Sequence, residues 1–123
     1  MMRTLIQTLL APVVWVADKL GTSREVARDE AQQAEVDEAC EALALYQFWS
    51  EPECIRVRRE ITRLGLSIET RDARLDPEHG QTLKEQGGKL QVPCLYIREA
   101  SGEERWLYNA QRIIDYLRRH FGE

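Results

Sequence analysis

The spacing of apolar residues changes several times along this chain, and each change marks a predicted element. Residues 43–48 (LALYQF) form a short apolar and aromatic run, which predicts a buried strand. The period then becomes helical. Cys54, Val57, Ile61 and Leu64 fall on one face, and Arg56, Arg59 and Arg63 on another. Ser50 is the expected cap of this helix, Pro52 supplies the fixed φ of a first turn, and Glu51 and Glu53 suit the positive end of the dipole. Gly65 is its expected stop. Residues 67–72 alternate with period two and predict a second strand. Asp76 and Pro77 open a short helix that ends at Gly87 and Gly88. Residues 92–97 read as a third strand, 100–103 as a turn and 105–108 as the returning fourth strand. Asn109 caps a last helix with a stripe of Ile113, Ile114, Leu117 and Phe121.

The first 42 residues have a different texture and read as a helical extension to a domain spanning residues 43–123. Residues 4–17 are densely apolar and predict a helix, but the segment is shorter than the about 20 residues a spanning helix needs. Trp15 also stands where a secretory cleavage site wants a small residue. Packing within the protein, a homodimer contact and a peripheral membrane contact all fit this segment, with packing or dimerisation preferred. Residues 22–41 are rich in Ala, Glu and Gln, lack Gly and Pro, and predict an exposed acidic helix opened by a capping box of Thr22 and Glu25.

Composition narrows the function classes. The chain has 123 residues, 43% of them apolar and 31% charged, which suits one soluble globular domain. Its net charge of −4 argues against nucleic acid as a partner. The run of Arg56, Arg58, Arg59 and Arg63 is read as a solvated helix face. Cys40, Cys54 and Cys94 are odd in number and lack C-x-x-C spacing, and the two histidines lie far from them in sequence. No disulfide framework and no metal site is therefore expected, and the cysteine usage fits a reducing, cytoplasmic setting.

A strand that stops at a helix N-terminus creates a pocket favouring anions and thiolates. Here that junction carries Glu51-Pro52-Glu53-Cys54, with Val92-Pro93 leading into the third strand. The pair resembles the active-site corner of glutaredoxins and of the glutathione-binding N-terminal domain of glutathione S-transferases, over residues 43 to 121. That resemblance agrees with the element order and implies an α/β, thioredoxin-like (glutaredoxin-like) fold: a four-stranded mixed sheet with flanking helices. It implies that Pro93 is a cis-proline and that the backbone of Val92 pairs with the cysteinyl part of glutathione. It places the γ-glutamyl end at Asn109 and Ala110, where Ala110 has no hydroxyl to offer. The family's Cys-Pro-x-Cys is Glu-Pro-Glu-Cys here, so Glu51 holds the nucleophile position and Cys54 the resolving one.

A carboxylate cannot exchange disulfides. Glu51 is therefore read as a helix-dipole partner, ahead of an acid-base role, and Cys54 as a buried core thiol. Iron-sulfur binding of the monothiol glutaredoxin kind also needs the missing cysteine and is not expected. The preferred reading is a glutaredoxin-like domain degenerate in thiol-disulfide chemistry that binds glutathione, a thiol-containing peptide or a protein. One alternative is an active oxidoreductase using Cys54, with or without a reversible disulfide to Cys94. Another is a membrane-surface adaptor held by residues 4–17.

Overall fold

The computed structural model describes residues 26–122. The elements are α1 (Glu30–Cys40), β1 (Leu43–Gln47), α2 (Pro52–Arg63), β2 (Glu69–Asp72), α3 (Pro77–Gln86), β3 (Cys94–Arg98), β4 (Glu104–Tyr108) and α4 (Ala110–Phe121). The sheet order is β2-β1-β3-β4. β2 runs parallel to β1, whereas β3 is antiparallel to both β1 and β4. This is the expected thioredoxin-like arrangement.

Alternation along β1 explains the two layers. Leu43 and Leu45 join Val57, Ile61, Leu95, Ile113 and Leu117 in the core under α2 and α4. Ala44 and Tyr46 point the other way, into a smaller core with Leu83 of α3 and Cys94. Both faces of β1 are covered and all five residues are buried, so the strand reads as a continuous apolar run. β2 is polar because it lies at the sheet edge. It is also two residues shorter than its pattern predicts. The ladder begins only where Glu69 meets Ala44, after the chain has turned at Gly65 with φ 68°.

The acidic helix starts later than the sequence suggests. Residues 27–29 are not helical, and α1 begins at Glu30 behind Asp29, not at residue 22. The reason is a better cap. Asp29 accepts from the Gln32 amide at 2.7 Å, and the Gln32 side chain accepts from the Asp29 amide at 3.0 Å. The expected Thr22 cap and the apolar helix at 4–17 lie outside the described residues. α1 is largely exposed, as its composition implies, yet its start is well anchored. Val26 is buried in the main core. Arg28 donates to the Leu64 carbonyl at 2.7 Å and the Phe121 carbonyl at 2.8 Å, satisfying orphan acceptors at the ends of α2 and α4.

A buried carboxylate joins α2 to α4. Glu60 accepts from Arg63 at 2.6 Å and from Arg118 at 2.9 Å. Burial alone would raise its pKa, but the two guanidinium groups outweigh burial and hold it at about 2.

Candidate functional site

Strand register fixes where the site lies. Tyr46 pairs with Cys94 and Cys94 with Tyr108. The exit of β1, the entry to β3 and the exit of β4 therefore share one end of the sheet. Val92-Pro93 and Asn109-Ala110 adjoin their strand ends directly and Glu51 lies at the end of the short turn after β1, so the fold gathers all the sequence-predicted corner residues at that end.

At the first of these junctions, Glu51 is the N-cap of α2 in place of Ser50, and its carboxylate accepts from the Cys54 amide at 3.0 Å. The extended backbone at Glu51 and the proline at the first helical position leave that amide as an orphan donor, and the longer acidic side chain reaches it. The expected dipole role of Glu51 thus has a bond behind it. Cys54 is fully buried. Its sulfur accepts weakly from the Phe48 amide at 3.5 Å. Burial raises its pKa to about 11; the Phe48 amide works against this, while neighbouring Glu51 adds to it. At pH 7 only about one such thiol in ten thousand is ionised.

The second junction holds a cis peptide between Val92 and Pro93, as the family resemblance implies. Pro93 is buried and Val92 partly so. Cys94 follows, fully buried, with its pKa pushed up to about 12 by burial. Cys40, Cys54 and Cys94 are all free thiols.

At the third junction Asn109 has a positive φ of 86°, a conformation Asn tolerates better than most side chains. Its side chain accepts from the Arg112 amide at 3.1 Å and so caps α4. Ala110 is buried. Two helix N-termini that would face an anionic ligand are thus both occupied by the chain's own side chains, a carboxylate on α2 and an amide oxygen on α4.

Three residues to which the sequence pattern gave no role at this corner brace it. Asp72, at the end of β2, accepts from the amides of Leu75, Arg74 and Trp49 at 2.7, 2.9 and 3.1 Å. Burial opposes ionisation of Asp72, but these amides hold its pKa below the usual carboxylate value. Its place at the end of a strand, just ahead of the turn at residues 73–75, is an Asx-turn signal that sequence does offer. Arg58 leaves the solvated run to bond the Gln47 side chain and, at 2.7 Å, the Trp49 carbonyl. Its guanidinium also lies 4.2 Å from the Trp49 ring centre, and Trp49 is 64% exposed. Arg56 bonds both Glu53 and Gln111, linking the first turns of α2 and α4. Nothing in the spacing of those arginines announces such long-range partners. Among the described residues no group of three or more His, Cys, Asp or Glu side chains is placed to hold a metal. None of the described helices is long and apolar enough to cross a membrane.

Residues 52–101 match the family model described as Glutaredoxin. Among solved structures, a maleylacetoacetate isomerase from Anaeromyxobacter dehalogenans 2CP-1 with bound dicarboxyethyl glutathione and citrate in its active site is similar at 28% identity and a TM-score of 0.52. The same enzyme with bound GSH gives 27% identity and a TM-score of 0.52. Each comparison covers 67% of this chain but only 38% of the isomerase, so the chain spans little more than a third of that enzyme. A wheat glutaredoxin is similar at 20% identity and a TM-score of 0.48, covering 76% of this chain and 87% of that one. No match was found among curated proteins. The match over residues 52–101, the strand order and the cis-proline junction agree: the chain has a thioredoxin-like fold and is similar to glutaredoxins and to the isomerase's matching portion.

Proposed function

We propose that this domain has given up thiol-disulfide exchange and acts as a binding module for glutathione or for a thiol-containing peptide or protein. The observation that carries the reading is the Glu51 carboxylate bonded to the Cys54 amide. It places a non-nucleophilic group at the corner and leaves Cys54 buried beneath it, with a pKa near 11. Exchange requires an accessible thiolate, and neither cysteine near the corner offers one. The main-chain groups of Val92, ahead of cis-Pro93, do not depend on side-chain identity. They are the proposed contact for the cysteinyl part of a ligand. Asn109 contributes weakly to the γ-glutamyl end, since its side-chain oxygen already serves α4. The bound glutathione of the similar isomerase structures supports this choice of ligand.

Two measurements test the proposal. Titration with reduced glutathione should shift the backbone amides of Val92 and its neighbours while leaving those of α1 unmoved. Absence of any shift at millimolar glutathione would remove glutathione as the ligand. In a disulfide-reduction assay the parent should be nearly inactive, and Glu51→Cys should gain activity, because the amide now capped by Glu51 would stabilise a thiolate with Cys54 three residues on. Equal and substantial activity in both proteins would refute the loss of exchange chemistry.

A further inference from the structure

On the side of the sheet away from β2, the last strand is open among the described residues. Among those residues, β4 has β3 on one side and no strand on the other. The Glu99 amide bonds the Glu103 carbonyl at 2.7 Å, and the antiparallel register continues through Ile97 with Arg105 and Leu95 with Leu107. Bonded positions alternate in such a ladder. The main-chain groups of Arg105 and Leu107 are therefore used by β3, while those of Glu104, Trp106 and Tyr108 point outward.

Beside this edge runs a groove of about 280 Å³ lined by Arg105, Leu107, Arg112, Asp115, Tyr116 and Arg119. Arg112 and Arg119 are seven residues apart, two turns along one face of α4. Neither makes an ion pair among the described residues, and both are exposed. Arg105 pairs with Glu99 at 3.1 Å, and Asp115 is engaged by Gln111 at 2.9 Å. The groove thus has three cations and one acid. On the opposite face of the same strand Trp106 packs against Tyr96, with ring centres 4.9 Å apart, and both are only half-buried.

We propose that this edge takes up an extended acidic peptide as a fifth strand. Side chains of an added strand alternate between the two faces. On the α4 face they would meet Arg105, Arg112 and Arg119, which calls for Asp or Glu. On the other face they would lie beside Trp106 and Tyr108, whose rings call for apolar residues. The recognised chemistry is therefore an alternating acidic-apolar segment of a partner protein. The charges of Glu104 and Arg105 on the bare edge discourage self-pairing and leave it open to a peptide of matching pattern.

The test uses the full chain and a fluorescein-labelled eight-residue peptide of alternating Glu and Val, followed by anisotropy at low salt. Binding is expected, together with shifts of the Glu104, Trp106 and Tyr108 amides. Reversing both groove charges in R112E/R119E should weaken binding at least about tenfold, and both positions are exposed, so an unchanged circular dichroism spectrum serves as the control. Peptides N-methylated at every second residue, made in both phases, distinguish strand addition from simple charge attraction. One phase should lose binding and the other keep it. No binding of the parent peptide, equal binding of both N-methylated peptides, indifference to R112E/R119E, or equally tight binding of a single-stranded oligonucleotide of the same charge would each overturn the proposal.

Discussion

Cys54 is enclosed at both its side chain and its backbone. Its sulfur is buried, and its backbone amide is taken by Glu51. Iodoacetamide should therefore modify Cys54 slowly at pH 7, with a rate well below that of the urea-unfolded chain. Rapid stoichiometric labelling of the native protein would contradict the burial. The same burial sets a dependence on alkaline pH. Cys54 and Cys94 hold their protons to about 11 and 12 when folded, while the unfolded thiols release theirs near 9. The folded state is then the more protonated one, so its stability is complete below pH 9 and falls as pH rises toward 11. Chemical denaturation at pH 8 and pH 10 should show the lower midpoint at pH 10. Replacing Cys94 by Ala should reduce that difference.

Among the elements, α2 and α4 depend on polar contacts at their ends and crossing as well as on their apolar stripes. Arg28 closes the C-termini of both helices from outside, so Arg28→Ala should cost about 1–2 kcal/mol in urea denaturation by leaving the Leu64 and Phe121 carbonyls to water. Glu60 ties the helices together where they cross. Its pKa is about 2 when folded and near 4.5 when unfolded, so the unfolded state takes up protons first on acidification. Its contribution is fully present above pH 4.5 and is lost as pH falls toward 2. Glu60→Gln should cost about 2 kcal/mol at pH 7, moderated by the exposure of Arg118, and should flatten the acid limb of the stability curve. An unchanged acid limb would show that other carboxylates govern it.

At the scale of the whole molecule, the layered fold was legible because apolar period and strand ends carry it. Leu43 to Tyr46, the Cys54-Val57-Ile61 stripe and the Ile113-Ile114-Leu117 stripe are all buried where their spacing puts them. Element starts were less legible, since they depend on which of several caps wins. Glu51 displaced Ser50, and Asp29 with Gln32 set the start of α1. The corner's participants were legible through a short motif and a proline. Its braces were not, because Arg58 with Gln47 and Arg56 with Gln111 join residues 11 and 55 positions apart, and only the folded topology brings them together. The central position of β1 has a further consequence. It is hydrogen-bonded on both sides and covered on both faces, so no local fluctuation can free its amides. In deuterium exchange, Ala44 and Leu45 should be the last amides to be replaced, at the rate of global unfolding. Those on the exposed face of α1 should exchange by local fraying, so the chain carries an internal scale running from its most transient opening to its complete loss of structure.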